Sequence, residues 1–183
     1  MNTVNAASKE ESDLIYSLLV KKYKPIYADI WKIGINTALR ITDLLSIKFD
    51  DLDLANQELR LIERKTGKKR IIRLNRLVID IIKTRRANHP FHQYLFEVDC
   101  NRAKGKPISR ETVSRAFKEA SNLIGLQLNT HSMRKSRGKA MFDAGVPVEM
   151  ITKVLNHSTT SVTLRYIGIT NEQVQKTYDD FEL

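Results

Sequence analysis

Four short segments of this 183-residue chain carry side chains whose types and spacing suit a reaction at a phosphate. They are Thr37-Ala38-Leu39-Arg40-Ile41-Thr42-Asp43, Arg64-Lys65-Thr66-Gly67, Thr130-His131-Ser132-Met133-Arg134, and Leu155-Asn156-His157-Ser158 reaching on to Tyr166. Opening a phosphodiester without a metal requires a nucleophile, cationic donors for the non-bridging oxygens, and an acid for the departing oxygen. Arginine suits the donor role because its planar fork offers two N–H groups to one phosphate. His131 and Arg134 stand three apart at the start of an expected helix, so both can face one side, where the helix amino terminus adds partial positive charge. Taken singly, each residue has an ordinary reading. Arg40 and Asp43 could form a local ion pair, and Lys65 is one of five cations among residues 64–70. His131 and His157 fit helix ends, and Tyr166 is one of six tyrosines.

Charge distribution narrows the partner class. The formal net charge is +10, and residues 60–139 hold 21 Lys/Arg against 6 Asp/Glu, whereas the rest hold 10 against 15. Positive charge collected in one stretch is the footprint of a phosphate-backbone binder, because cations that meet phosphates release condensed counterions. Arg64, Lys68, Lys69, Arg70 and Arg137 are the candidate DNA-contacting cations outside the reactive set. The single cysteine, Cys100, excludes an internal disulfide and a multi-cysteine zinc site. His89 and His92 flank Pro90, but with no carboxylate or thiol cluster beside them they read as loop residues, and no metal or other cofactor is expected. No 18-residue apolar run and no signal-like amino terminus occur, so a cytoplasmic, nucleoid-associated protein is expected.

The reactive segments need elements to position them. Ser8-Lys9-Glu10-Glu11 is a capping box that opens a first helix ending before Pro25, and a second, more apolar helix spans Ile26 to Thr37. A short third helix follows Arg40. The period then falls to two through Leu52, Leu54, Leu59, Leu61, Ile71 and Leu74, with Asn56-Gln57 and Thr66-Gly67-Lys68 as turns, which reads as three antiparallel strands. Helical spacing returns from Leu77 to the break at His89-Pro90 and resumes after Ser109, with a polar loop from Asp99 to Pro107 between. Helices are then expected over Ser132–Ala144, Val148–Leu155, Thr159–Tyr166 and Asn171–Phe181. The fold class is mainly α with a small three-stranded antiparallel β-sheet.

In this order the segments resemble the catalytic domain of the tyrosine recombinase, or phage integrase, family: an Arg, a hairpin Lys, a His-x-x-Arg pair, a further His, and a Tyr nine residues on. The matching positions are Arg40, Lys65, His131 with Arg134, His157 and Tyr166. The resemblance implies that Tyr166 is the nucleophile, that Arg40 and Arg134 clamp the phosphate, and that Lys65 is the general acid. It also implies that His131 assists proton transfer, that His157 adds a hydrogen bond to the phosphate, and that Asp43 holds the Arg40 guanidinium in place. Asn156 stands where many relatives carry glycine, and asparagine tolerates the left-handed backbone that glycine usually supplies. The implied activity is site-specific recombination, cutting and rejoining DNA through a 3′-phosphotyrosine link without metal or ATP. Two alternatives are relaxation of supercoils by a type IB topoisomerase and a binding-only DNA regulator derived from a recombinase.

Only 39 residues precede Arg40, too few for a separate amino-terminal DNA-binding domain of the kind most relatives carry, so one catalytic domain over residues 1–183 is expected. The expected partner is double-stranded DNA, bound by a homo-oligomer that forms a tetramer on it, with accessory DNA-bending proteins. Residues 170–183, with Val174, Tyr178 and Phe181 on one face, are the expected means of association; the other reading is a helix folded back on its own core.

Overall fold

The computed structural model describes residues 5–99 and 105–180. Cys100 and Phe181, both named above, lie outside them. Helix α1 (Lys9–Lys22) opens with both halves of the capping box: Ser8 Oγ accepts from the Glu11 amide and the Glu11 carboxylate accepts from the Ser8 amide. Pro25 is the first residue of α2 (Pro25–Thr37), where its fixed φ and missing N–H cost nothing. One face of α2 is apolar, and Ile30, Trp31 and Ile33 are buried. The Trp31 ring meets Phe117 of α5 edge to face, centroids 5.2 Å apart, and its Nε1 donates to the Ser12 carbonyl. Helix α2 ends at Ala38, which adopts a left-handed conformation with φ 53° and redirects the chain into Leu39 and Arg40. Short helix α3 (Ile41–Leu45) follows.

The period-two segment forms the expected sheet in the order β1 (Leu52–Asp53), β2 (Glu58–Ile62), β3 (Lys69–Arg73), all antiparallel. The register pairs Ile62 with Lys69, so residues 63–68 form the hairpin tip. Helix α4 (Arg76–Asn88) is capped by Asn75 and stops at His89-Pro90; α5 (Arg110–Asn122) is capped by Ser109. The last helices are α6 (Ser132–Asp143), α7 (Val148–Leu155), α8 (Thr160–Ile167) and α9 (Asn171–Asp180). Ends differ from the sequence expectation by a residue or so, since Ala144 and Thr159 are caps rather than helical residues.

The main apolar core joins α1 to α5 with the sheet and Met133 of α6, through Leu19, Ile33, Leu44, Leu59, Phe96 and Phe117. A second, smaller cluster of Ala38, Ile151 and Leu155 packs with Tyr166 and joins α7 and α8 to the end of α2. One feature differs from the sequence reading. Asp99, seven residues beyond His92, folds back so that its carboxylate meets both His92 and His89, and the histidine pair therefore does have a carboxylate beside it. Helix α9 is exposed along its described length, with Val174 and Tyr178 47% and 74% accessible, so among the described residues it is not folded onto its own core.

Candidate active site

Arg40, Lys65, His131, Arg134, His157 and Tyr166 line one cleft of about 410 Å³, together with Thr66, Asn156, Ser158 and Val162. Six residues spread over 126 positions of sequence converge because the two apolar clusters clamp the elements that carry them. Gly34 makes the tightest of these contacts. A Cβ there would stand 2.2 Å from Met133 Sδ, so any larger residue would have to displace the buried Met133 side chain where α2 meets α6 beside Arg134.

Arg134 is buried, and its guanidinium donates to the carbonyls of Ala38 and Leu155 and hydrogen-bonds Tyr166. It thus ties the left-handed end of α2, the end of α7 and the tyrosine into one unit. Burial lowers its affinity for the proton, but an arginine stays charged at any working pH. Arg40, the residue before α3, donates through Nη1 to Glu63 Oε2 at 2.7 Å.

Glu63, which the sequence reading passed over, has no exposed surface. Besides Arg40 it accepts from Arg70 Nη1 at 2.8 Å, Asn156 Nδ2 at 2.5 Å and Thr66 Oγ1 at 3.2 Å. Burial pushes its carboxyl up, but hydrogen bonds from Arg70 and Asn156 and the charges of Arg40 and Arg70 outweigh that and leave it below the ordinary carboxylate range. Nothing in the local sequence distinguishes Glu63 from any other acid in a cationic turn. The only hint is that it is the sole Asp or Glu between Arg60 and Arg76.

Two expectations need correction. Asp43 does not hold the Arg40 guanidinium: its Oδ1 accepts from the Arg64 amide at 2.9 Å, while its buried Oδ2 has no hydrogen-bond partner among the described residues. It steadies the hairpin beside Lys65, and Glu63 holds Arg40. Arg70 is not a free DNA-facing cation, since its guanidinium is spent on Glu63 and the Val154 carbonyl. Asn156 is left-handed as expected, with φ 46°, but its side chain also bonds Glu63, a contact that glycine could not make. Arg64, Lys68 and Lys69 are exposed on the hairpin as expected, whereas Arg137 is half-buried on α6 with its Nε buried and unpartnered among the described residues.

Lys65 lies exposed at the hairpin tip, between Arg64, whose amide is held by Asp43, and Thr66, whose hydroxyl is held by Glu63. Gly67 supplies the positive φ of 65° that closes the turn. His131 stands just before α6; burial, with the charges of Arg110, Arg134 and Arg40, lowers its pKa. His157 is lowered further, to about 4, by burial first and then by Arg134 and Arg40. Its Nδ1 lies 3.0 Å from the hydroxyl of buried Thr163, a second orienting residue missed in the sequence. The Tyr166 ring meets the His157 ring edge to face, centroids 4.9 Å apart, and its hydroxyl donates to the His131 carbonyl at 3.3 Å. Burial raises its pKa above the usual value, against the pull of Arg134 and Arg40.

A mainly helical domain with a three-stranded sheet, placing a hairpin lysine over a cleft of two arginines, two histidines and a tyrosine, has the fold of a tyrosine recombinase catalytic domain. A crystal structure of XerA recombinase superposes with a TM-score of 0.74 at 16% identity, over 98% of this chain and 65% of that one. The XerH site-specific recombinase bound to a palindromic difH substrate, in a post-cleavage complex, gives 0.77 at 17% identity, over 97% and 53%. The sequence profile of the Phage integrase family matches residues 3–173, and the chain belongs to that family. A probable integrase/recombinase of Bacillus subtilis is 33% identical over 179 residues, covering 95% of this chain and 94% of its own length. The tyrosine recombinase XerA of Pyrococcus horikoshii is 29% identical over 149 residues, 79% of this chain but only 51% of that protein. The chain thus spans nearly the whole of the first relative and about half of the second.

Proposed function

We propose that this protein is a site-specific DNA recombinase in which Tyr166 attacks a DNA phosphate, leaving the strand joined to the enzyme as a 3′-phosphotyrosine and freeing a 5′ hydroxyl. The observation that carries the reading is the convergence of all six reactive side chains on one cleft. A phosphate seated there meets the Arg40 donors not occupied by Glu63 and the buried cation of Arg134, so charge developing on the non-bridging oxygens is stabilised by groups already in place. Because burial holds Tyr166 as a neutral phenol, its proton must leave as the new P–O bond forms. His131, kept neutral near pH 7 by its lowered pKa, is available to take that proton. Lys65 gives a proton to the 5′ oxygen as the old P–O bond breaks. His157 is held through Nδ1 by the Thr163 hydroxyl, and in the tautomer that carries its proton on Nε2 it donates a hydrogen bond to the phosphate. The phosphotyrosine preserves the bond energy, so an incoming 5′ hydroxyl reverses the steps with the proton roles exchanged.

The bound partner in this reading is duplex DNA, approached over Arg64, Lys68 and Lys69, and the exposed helix α9 docks on a second copy of the chain to couple active sites. The test is a nicked DNA substrate that loses its short cleaved end. The wild type should accumulate an adduct resistant to denaturation, and Tyr166→Phe should give none. An adduct that persists in the Phe variant overturns the assignment of Tyr166, and binding without any cleavage across candidate sites favours a binding-only regulator.

A further inference from the structure

Away from the cleft, the turn after α4 brings together three side chains that the cutting reaction does not use. Pro90 stops the helix, the His92 amide donates to the His89 carbonyl at 3.2 Å, and the Arg86 guanidinium donates to the carbonyls of Pro90 and His92. The return limb is fixed as well, since the buried Glu97 carboxylate accepts from the amides of Gln93 and Tyr94. This scaffold delivers Asp99 to both histidines. Its Oδ1 lies 2.7 Å from His92 Nε2 and its Oδ2 lies 3.3 Å from His89 Nδ1, and the three ligand atoms all fall within 4.8 Å of one another.

We propose that His89, His92 and Asp99 bind a divalent transition-metal ion of the zinc type, as a structural clasp between the end of α4 and the limb ending at Asp99. Tetrahedral ligand atoms with bonds of about 2.0–2.1 Å stand about 3.3 Å apart, so atoms that now lie within 4.8 Å of one another, the closest pair 2.7 Å apart, reach that spacing by side-chain rotation. Two imidazoles and one carboxylate suit zinc, cobalt or nickel, whereas magnesium and calcium demand oxygen-rich shells. The Asp99 side chain is 70% accessible, which gives the ion a route in and leaves the fourth position to water. The two rings stack with centroids 4.5 Å apart and planes 12° from parallel, so seating the ion requires each ring to turn about its Cβ–Cγ bond. His92 Nδ1 is buried without a hydrogen-bond partner among the described residues, and so lacks the acceptor that commonly strengthens a metal-bound histidine. The affinity should accordingly be micromolar in order of magnitude, below that of a closed structural zinc site.

The experiment is a calorimetric titration of the chelator-treated full chain with Zn2+ alone, paired with thermal unfolding. One ion should bind per chain, and Asp99→Asn and His89→Gln should each weaken binding at least about tenfold. His131→Gln and Cys100→Ser should leave it unchanged. Zn2+ in about a hundredfold excess over its Kd should raise the unfolding temperature of the wild type by about 5–10 °C, and of Asp99→Asn by much less. Because both variants alter accessible side chains, their unfolding temperatures without metal check that the fold is retained. The absence of saturable binding below millimolar Zn2+ overturns the site, as does binding that survives both variants or is lost instead in His131→Gln or Cys100→Ser.

Discussion

Glu63 carries no exposed surface, yet it accepts from four donors, two of them cationic, and this places it behind Arg40 in the proposed phosphate clamp although no substrate atom needs to touch it. Removing its charge while keeping its shape leaves Arg40 and Arg70 close together without a counterion. Glu63→Gln should therefore lower the cleavage rate by about ten- to a hundredfold while DNA affinity changes little, and Glu63→Asp should recover part of the loss. Single-turnover cleavage and equilibrium binding separate the two effects, and an unchanged cleavage rate would remove Glu63 from the clamp. His157 makes a different prediction, about stability. Its pKa falls from 6.5 to about 4 on folding, so between those pH values the unfolded chain binds a proton that the folded chain refuses. Stability is then fully present above pH 6.5 and declines as the pH falls toward 4, and the lowered His131 acts in the same direction. Screening at a half-buried site limits the loss to about 1–2 kcal/mol. Denaturant unfolding at pH 7.5 and 5 should show that decline, and His157→Gln should flatten it. A His157→Gln profile as steep as the wild type would assign the pH dependence to other groups.

At the scale of elements, the site depends on how closely α2 and α6 approach. Gly34→Ala places a methyl against buried Met133 and should destabilise the domain by about 1–3 kcal/mol. The added cost should shrink in a Met133→Ala background, where the space is vacated; thermal unfolding of the double-mutant cycle measures it, and strict additivity would mean that the clash is not the cause. Local signals made the elements themselves readable. The Ser8 box, Pro25, the two-residue alternation of the strands and the break at His89-Pro90 each act within a few residues, and each lies where the sequence put it. The candidate reactive residues were picked out for another reason: their order and spacing match a family, and the structure brings the six together in one cleft, but that pattern says nothing of their partners. What could not be read was the support around them. Glu63 to Asn156 spans 93 positions and Arg134 to Ala38 spans 96, and pairings over such distances follow from how α6 and α7 pack on α2 rather than from any local pattern. Asp43 was misassigned for the same reason, because its nearness to Arg40 in sequence says nothing of the Arg64 amide that the hairpin brings to it.

For the molecule as a whole, α9 is the element that the rest of the fold does not explain. Ten residues are too few for a stable isolated helix in water, and the Thr170 and Gln173 caps contribute only local hydrogen bonds. Val174 and Tyr178 are largely exposed, so among the described residues the helix buries little on its own chain. On the proposed function a second copy of the chain is the occupant, and a tail that docks in trans would separate folding from assembly. Removing residues 170–183 should therefore shift the unfolding temperature by no more than a degree or two, whereas removing an element that packs on the core would shift it by many degrees. The same truncation should leave cleavage of a single nicked half-site intact and abolish both multimer formation on DNA and strand exchange. Tyr178→Ser should move assembly in that direction on its own, because an aromatic ring seated in a neighbour is the kind of anchor that dominates such contacts. Differential scanning calorimetry and sedimentation on a duplex carrying the cognate site measure the two halves separately. A truncated chain that unfolds many degrees lower would show that α9 serves its own domain, and one that still assembles and exchanges strands would place the protomer contact elsewhere.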